Sequence, residues 1–164
     1  MVAIHISGDQ PPKPVANRSV RITPGVLGNI RRWLAAAPVP PPFRVLDRFG
    51  FDKADLLPSH LPEIAAAARH VVALAGTPWR IRKIFLVGHT DSRGPAAYNV
   101  ALGQRRALTV RMRLVAEIEK LRRGLSGSIR FVVQSMGASQ PVATSTTAIG
   151  RARNRRVEVL LSRI

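Results

Sequence analysis

From residue 43 onward, apolar positions recur with a period of either two or three to four residues. Each change of period marks an element. Phe43-Arg44-Val45-Leu46-Asp47-Arg48-Phe49 alternates apolar and polar residues and predicts a half-buried strand. Pro58 and Ser59 then open a helix through about Ala75, with Ser59 as N-cap and Pro62 in the first turn, where no amide bond is lost. Its apolar stripe is Ile64, Ala67, Ala68, Val71 and Val72, and Gly76 with Pro78 stops it. Ile81–Val87 predicts a second strand, whose unbroken apolar end, Ile84 to Val87, implies a central position covered on both faces. Pro95 starts a long helix to roughly Arg123, with apolar positions Leu102, Ala107, Val110, Leu114, Ile118 and Leu121. After Gly124–Ser128 come a strand over Ile129–Gln134, a loop with Pro141, a short helical turn near Thr147–Arg153 and a last strand over Arg155–Leu161.

The order β-α-β-α-β-β, with right-handed crossovers, puts two main helices on one face of a small mixed sheet. The predicted fold is an α+β two-layer sandwich, with the loops of any site gathered beyond one set of strand ends. Residues 1–42 differ in kind. Pro11-Pro12-Lys13-Pro14 and Pro38–Pro42 bracket Gly25–Leu34, a stretch able to form one or two amphipathic turns. Proline runs favour extended backbone. This basic extension is expected to be partly disordered, with docking to a protein partner as the functional alternative. The domain proper is expected at 43–164.

Composition changes the picture mainly through charge. The 164 residues carry a net charge of +17, nearly all from arginine. Such a field recruits polyanions: nucleic acid, an acidic membrane face or an anionic wall polymer. The basic residues are spread along the chain, so a solvated basic surface explains them about as well. One Tyr and two Trp give no stacking platform, and no nucleic-acid motif is present, which argues against nucleic acid as the partner. There is no cysteine, so the redox compartment stays open. No run approaches a membrane span, and Met1–Asp9 lacks the basic and apolar regions of a signal peptide, so neither is expected.

The candidate chemistry lies in two segments: Gly88-His89-Thr90-Asp91-Ser92-Arg93-Gly94 with Tyr98-Asn99 and Arg105-Arg106, and Gly150–Glu158 with its run of arginines. Asp91 falls just past a buried strand, in a glycine-bounded loop that opens a helix, where backbone N–H groups and the helix end favour an anion. Arg106 and Asn99 share a face of that helix two turns apart, and the Arg106 side chain leans back toward the loop. A carboxylate, a guanidinium, an amide and free N–H groups can together hold an ammonium and a carboxylate. An Asp91–Arg106 ion pair that pins loop to helix fits the same residues equally well. Arg155 and Arg156 are expected on opposite faces of the last strand, Arg155 toward the pocket and Arg156 toward solvent. His89 shares a face with Asp91, but no nucleophile or second carboxylate accompanies it. A packed, hydrogen-bonded histidine is therefore expected, with no metal site and no catalytic residue.

These residues, with Gly94, Leu102, Ala107, Val110, Gly137, Pro141-Val142 and Gly150-Arg151-Ala152-Arg153-Asn154-Arg155-Arg156-Val157-Glu158, resemble the OmpA-like C-terminal domain family, from about Phe43 to the end. The family includes outer-membrane anchors, peptidoglycan-associated lipoproteins and flagellar stator proteins. The resemblance implies non-catalytic, cofactor-free binding of peptidoglycan through the diaminopimelate of the stem peptide, which tethers a carrier to the wall. It places the ligand-binding Asp and Arg at Asp91 and Arg106. Thr90, Asn99, Asn154 and Arg155 fall on the neighbouring family positions, with Gly94 in the same loop. Removing Asp91 or Arg106 is then expected to abolish wall binding and leave the fold intact. Gly103 stands where the family usually has serine, and Gly137-Ala138 where it usually has Gly-Glu. The resemblance implies the periplasm or envelope, while the leaderless N-terminus fits the cytoplasm or a secreted assembly. The alternative function is a basic adaptor that binds a polyanion and keeps a vestigial pocket.

Overall fold

The computed structural model describes residues 42–163; the expectations for the N-terminal extension lie outside the described residues. Four strands and three α-helices follow in the order β1 (Arg44–Leu46), α1 (His60–Leu74), β2 (Lys83–His89), α2 (Ala96–Leu121), β3 (Arg130–Gly137), α3 (Ala148–Asn154) and β4 (Val157–Ser162), with a 3-10 turn at Ser126–Ser128. The sheet order is β1-β4-β2-β3. β2 and β3 are parallel and joined through α2, while β4 runs antiparallel to both β1 and β2. The predicted α+β architecture, with its two main helices, is the one observed.

Helices α1 and α2 bury their stripes against the sheet in one core that includes Ile64, Val71, Ile84, Leu86, Val110, Leu114 and Ile118. β2 is central in the sheet but covered on one face only. Ile84 and Leu86 are fully buried while Phe85 and Val87 are half-buried, because both main helices lie on the same side. β1 is shorter than its pattern predicts: Arg48 and Asp52 take left-handed backbone (φ 63° and 56°), which no strand accommodates. Ser59 does not cap α1. It is itself helical and makes no capping bond. His60 closes that end instead: Nδ1 accepts from the Leu57 N–H at 3.1 Å, and Nε2 lies 2.6 Å from the Asp47 carbonyl oxygen.

Two glycines set where α2 crosses the sheet. A Cβ on Gly88 would sit 1.9 Å from the Gly103 carbonyl oxygen, and one on Gly103 would sit 2.2 Å from Ser135 Oγ. The Gly88 clash is with backbone and cannot be relieved locally, whereas a side chain at 103 would require the Ser135 hydroxyl to turn away. The close crossing also brings Arg106, one turn further along α2, up to the end of β2. The C-terminal ends of β2 and β3, the start of β4 and the N-terminus of α2 thus meet at one pole of the domain. Their other ends form the opposite pole.

Candidate functional site

The site is walled by residues 47–53, a loop even though 47–49 continue the alternation of β1, and two arginines hold that loop in place. Arg106 is completely buried. Its Nε donates to the Lys53 carbonyl at 2.8 Å, Nη2 to Gly50 at 2.9 Å, and Nη1 to His89 at 2.9 Å. Burial and the neighbouring charge of Arg155 lower its pKa to about 10, so it stays cationic at neutral pH. Arg155 donates from Nε to the Phe49 carbonyl at 2.5 Å and from Nη1 to Asp91 Oδ2 at 3.0 Å. Phe49 in this loop is fully buried and packs against His60 in a tilted arrangement, ring centres 4.4 Å apart.

Asp91 sits in the resulting pocket, a cavity of about 270 Å³. Only 3% of the residue is exposed. Besides Arg155 it accepts from Arg93 three times: the backbone N–H at 3.1 Å, Nε at 3.2 Å and Nη2 at 2.7 Å. Burial pulls its pKa upward, but the hydrogen bonds from Arg93 and Arg155 outweigh that and hold it at about 2. The Arg93 side chain is 44% exposed and lies over the Phe51 ring, 3.9 Å from its centre. Asn99 donates to the carbonyls of Arg93 and Gly94 at 3.0 and 3.3 Å, which shapes the loop at the mouth. Gly94 has φ 92°, a conformation that favours glycine. The Thr90 hydroxyl is buried at the pocket and makes no hydrogen bond among the described residues.

Thr90, Asp91, Gly94, Asn99, Arg106 and Arg155 all line this one pocket. Asn154 does not. Its Oδ1 accepts from Val142 and Ala143, and its Nδ2 donates to the Ala143 carbonyl and Ser145 Oγ, so it pins the 142–145 loop. Asp91 and Arg106 form no ion pair; backbone carbonyls take the Arg106 donors instead. Arg155 is not a strand residue: it ends α3, and β4 begins at Val157. Arg156 is buried, not solvated. It bonds Glu158 Oε1 at 2.7 Å and the Gln140 carbonyl at 3.2 Å. His89 is packed as expected, but its imidazole lacks a hydrogen bond among the described residues, with Nε2 3.7 Å from Glu158 Oε1. The proximity of His89, opposed by burial and assisted by Arg156, leaves Glu158 with a pKa of about 2.

Two pocket residues escaped the sequence reading, Phe51 and Asp52; Arg93 and Tyr98 stood in the segments singled out but were given no role, and Tyr98 bonds through its hydroxyl to Asp52. Tyr98 and Asp52 are 46 positions apart, and residues 50–53 carry no periodic signal. Arg93, two residues from Asp91, and Tyr98, beside Asn99, were within reach of a local argument.

A buried carboxylate, three arginines and a free hydroxyl around a small open pocket define a ligand-binding module. The model of the OmpA family matches residues 48–155, and the chain belongs to that family. Outer membrane protein A of Bordetella avium is 38% identical over 114 residues, covering 68% of this chain and 51% of that protein. The peptidoglycan-associated lipoprotein of Legionella pneumophila is 35% identical over 119 residues, covering 73% and 61%. The chain thus spans roughly half the length of these curated relatives. The crystal structure of the peptidoglycan-associated lipoprotein from Burkholderia pseudomallei superposes with a TM-score of 0.58 at 27% identity, covering 73% of this chain and 90% of that one. Among the described residues no helix is long and apolar enough to cross a membrane.

Proposed function

We propose that this domain binds peptidoglycan non-covalently at the cell envelope. In this reading the zwitterionic end of the stem-peptide diaminopimelate enters the Asp91 pocket, and the carrier is thereby tethered to the wall. The observation that carries the proposal is the state of Asp91: a buried, ionised carboxylate whose outer partner, Arg93, is a half-exposed side chain. A ligand ammonium replaces the Arg93 guanidinium, so Asp91 exchanges one cation for another and is never left buried and unpaired. Three donors are available for the ligand carboxylate. The Thr90 hydroxyl lacks a partner, and Arg155 Nη2 and the Gly94 N–H make no hydrogen bond among the described residues. Phe51 and Tyr98 supply apolar walls for the methylene chain between the two charged ends. Arg106 acts from behind, by fixing the loop that carries Phe51 and Asp52.

The sequence match to peptidoglycan-associated lipoproteins supports the same ligand class. Pull-down with purified sacculi tests the wall-binding reading: the wild-type chain is retained and Asp91→Ala is not. Retention of both would remove Asp91 from the site.

A further inference from the structure

A second cavity, of about 330 Å³, opens at the opposite pole, between the start of β2 and the C-terminal ends of α1 and α2. Arg80, Arg82 and Arg122 line it, over a floor that includes Ile81, Leu125 and Ile129. None of the three guanidiniums makes a hydrogen bond or ion pair among the described residues. They are not isolated. Residues 75–83, 119–130 and 162–163, which meet at this pole, hold eight lysines and arginines against one acid, Glu119. That acid is engaged with the backbone N–H groups of Gly124 and Ser126. Cations do favour helix C-termini, and Arg122 is the C-cap of α2, but Arg80 and Arg82 lie outside any helix, so helix dipoles do not account for the whole cluster. Trp79 stands beside it, 58% exposed, with the Arg163 guanidinium 4.8 Å from its ring centre.

We infer that this pole is a docking surface for an anionic phospholipid bilayer, with Arg80, Arg82 and Arg122 receiving a lipid phosphate and Trp79 seated at the headgroup level. Three unpaired guanidiniums around one cavity suit a compact phosphate group. An exposed Trp flanked by Arg is the pairing that anchors proteins at membrane interfaces. A nucleic acid backbone calls for an extended basic groove with several stacking platforms; this pole is a compact cap with one aromatic ring. The two binding poles lie at opposite ends of β2, a seven-residue strand about 23 Å long. One domain can therefore hold a wall peptide and a membrane surface at once.

Flotation of the full chain with vesicles tests this, using phosphatidylcholine alone or with about one third phosphatidylglycerol at near-physiological salt. The wild-type chain binds the anionic vesicles and leaves the neutral ones. The triple variant Arg80→Gln/Arg82→Gln/Arg122→Gln loses affinity by about tenfold or more. A charge-matched control on other faces, Arg69→Gln/Arg111→Gln/Arg153→Gln, loses less than about threefold, and Trp79→Ala falls between. The proposal is overturned if the two triples lose equally, if wild type ignores anionic vesicles, or if duplex DNA is bound in preference with the same dependence on the pole. Full displacement by millimolar glycerol phosphate would reduce the site to one for a free phosphate and would also overturn it. Retention of the pole triple on sacculi is expected to be unchanged, which separates this test from that of the Asp91 pocket.

Discussion

At the pocket pole, Arg93, Arg106 and Arg155 each make two or more hydrogen bonds. At the opposite pole, the guanidiniums of Arg80, Arg82 and Arg122 make none among the described residues. Arginine count therefore says little about arginine role. The engaged ones organise backbone and hold a carboxylate ionised, so they determine geometry and specificity. The exposed ones leave their donors to solvent and set the outward field. The same residue type at two ends of one sheet does opposite work because only one end offers carbonyls and an acid close enough to engage it.

The sharpest way to break this contrast is Arg106→Ala. It removes three charge-assisted bonds and leaves buried carbonyls at Gly50, Lys53 and His89 without those partners. A loss of about 4 kcal/mol or more is expected, read as a lowered urea midpoint. Binding then fails because the loop is lost, contrary to the expectation of an intact fold. Next comes Asp91→Ala, where muropeptide affinity falls by about 2–5 kcal/mol in a calorimetric titration, while circular dichroism stays native.

Acid resolves the Asp91 contribution to stability. Its folded pKa of about 2 lies below the ordinary 3.8. The unfolded chain therefore binds the proton more readily, and stability falls as pH drops. The contribution, roughly 2 kcal/mol, is fully present above about pH 4 and lost as pH falls through about 2. The stability gap between wild type and Asp91→Asn should close over that window; a constant gap would show that the carboxylate charge is not the cause. Smaller still, Arg93→Ala removes the cation that competes with the ligand. Muropeptide affinity should rise by about threefold to tenfold, and a fall would make Arg93 a ligand contact. The smallest effect is at the far pole. Arg122→Gln should alter stability by less than about 0.5 kcal/mol in the same urea assay, as for an unengaged surface residue.

The architecture was legible because period and punctuation act locally. The stripe on α1, the alternation in β4 and the Gly–Pro stop after Ala75 each depend on residues within one or two turns. The pocket was legible in its acid and in the helix face that carries Asn99 and Arg106. Hydrogen-bond partners were not. Arg106 finds carbonyls more than 50 positions away, on a loop whose shape depends on left-handed Arg48 and Asp52. Sequence shows side chains but not which carbonyls a fold leaves unpaired, so an Asp91–Arg106 ion pair stood as one of two equal readings, and the structure does not form it. Asn154 was misplaced for the same reason: its amide satisfies backbone at Val142 and Ala143. Arg156 was expected in solvent because alternation gives a face, not whether a neighbour such as Glu158 draws that face inward.

The central claim is that the Asp91 pocket reads both charges of a zwitterion. Its most direct measurement is a titration of the wild-type chain with a diaminopimelate muropeptide and with the lysine counterpart, which ends in an amine alone. The lysine form is expected to bind at least about thirtyfold more weakly, since the Thr90, Arg155 and Gly94 donors then lose their carboxylate. Equal affinity for the two would contradict the account.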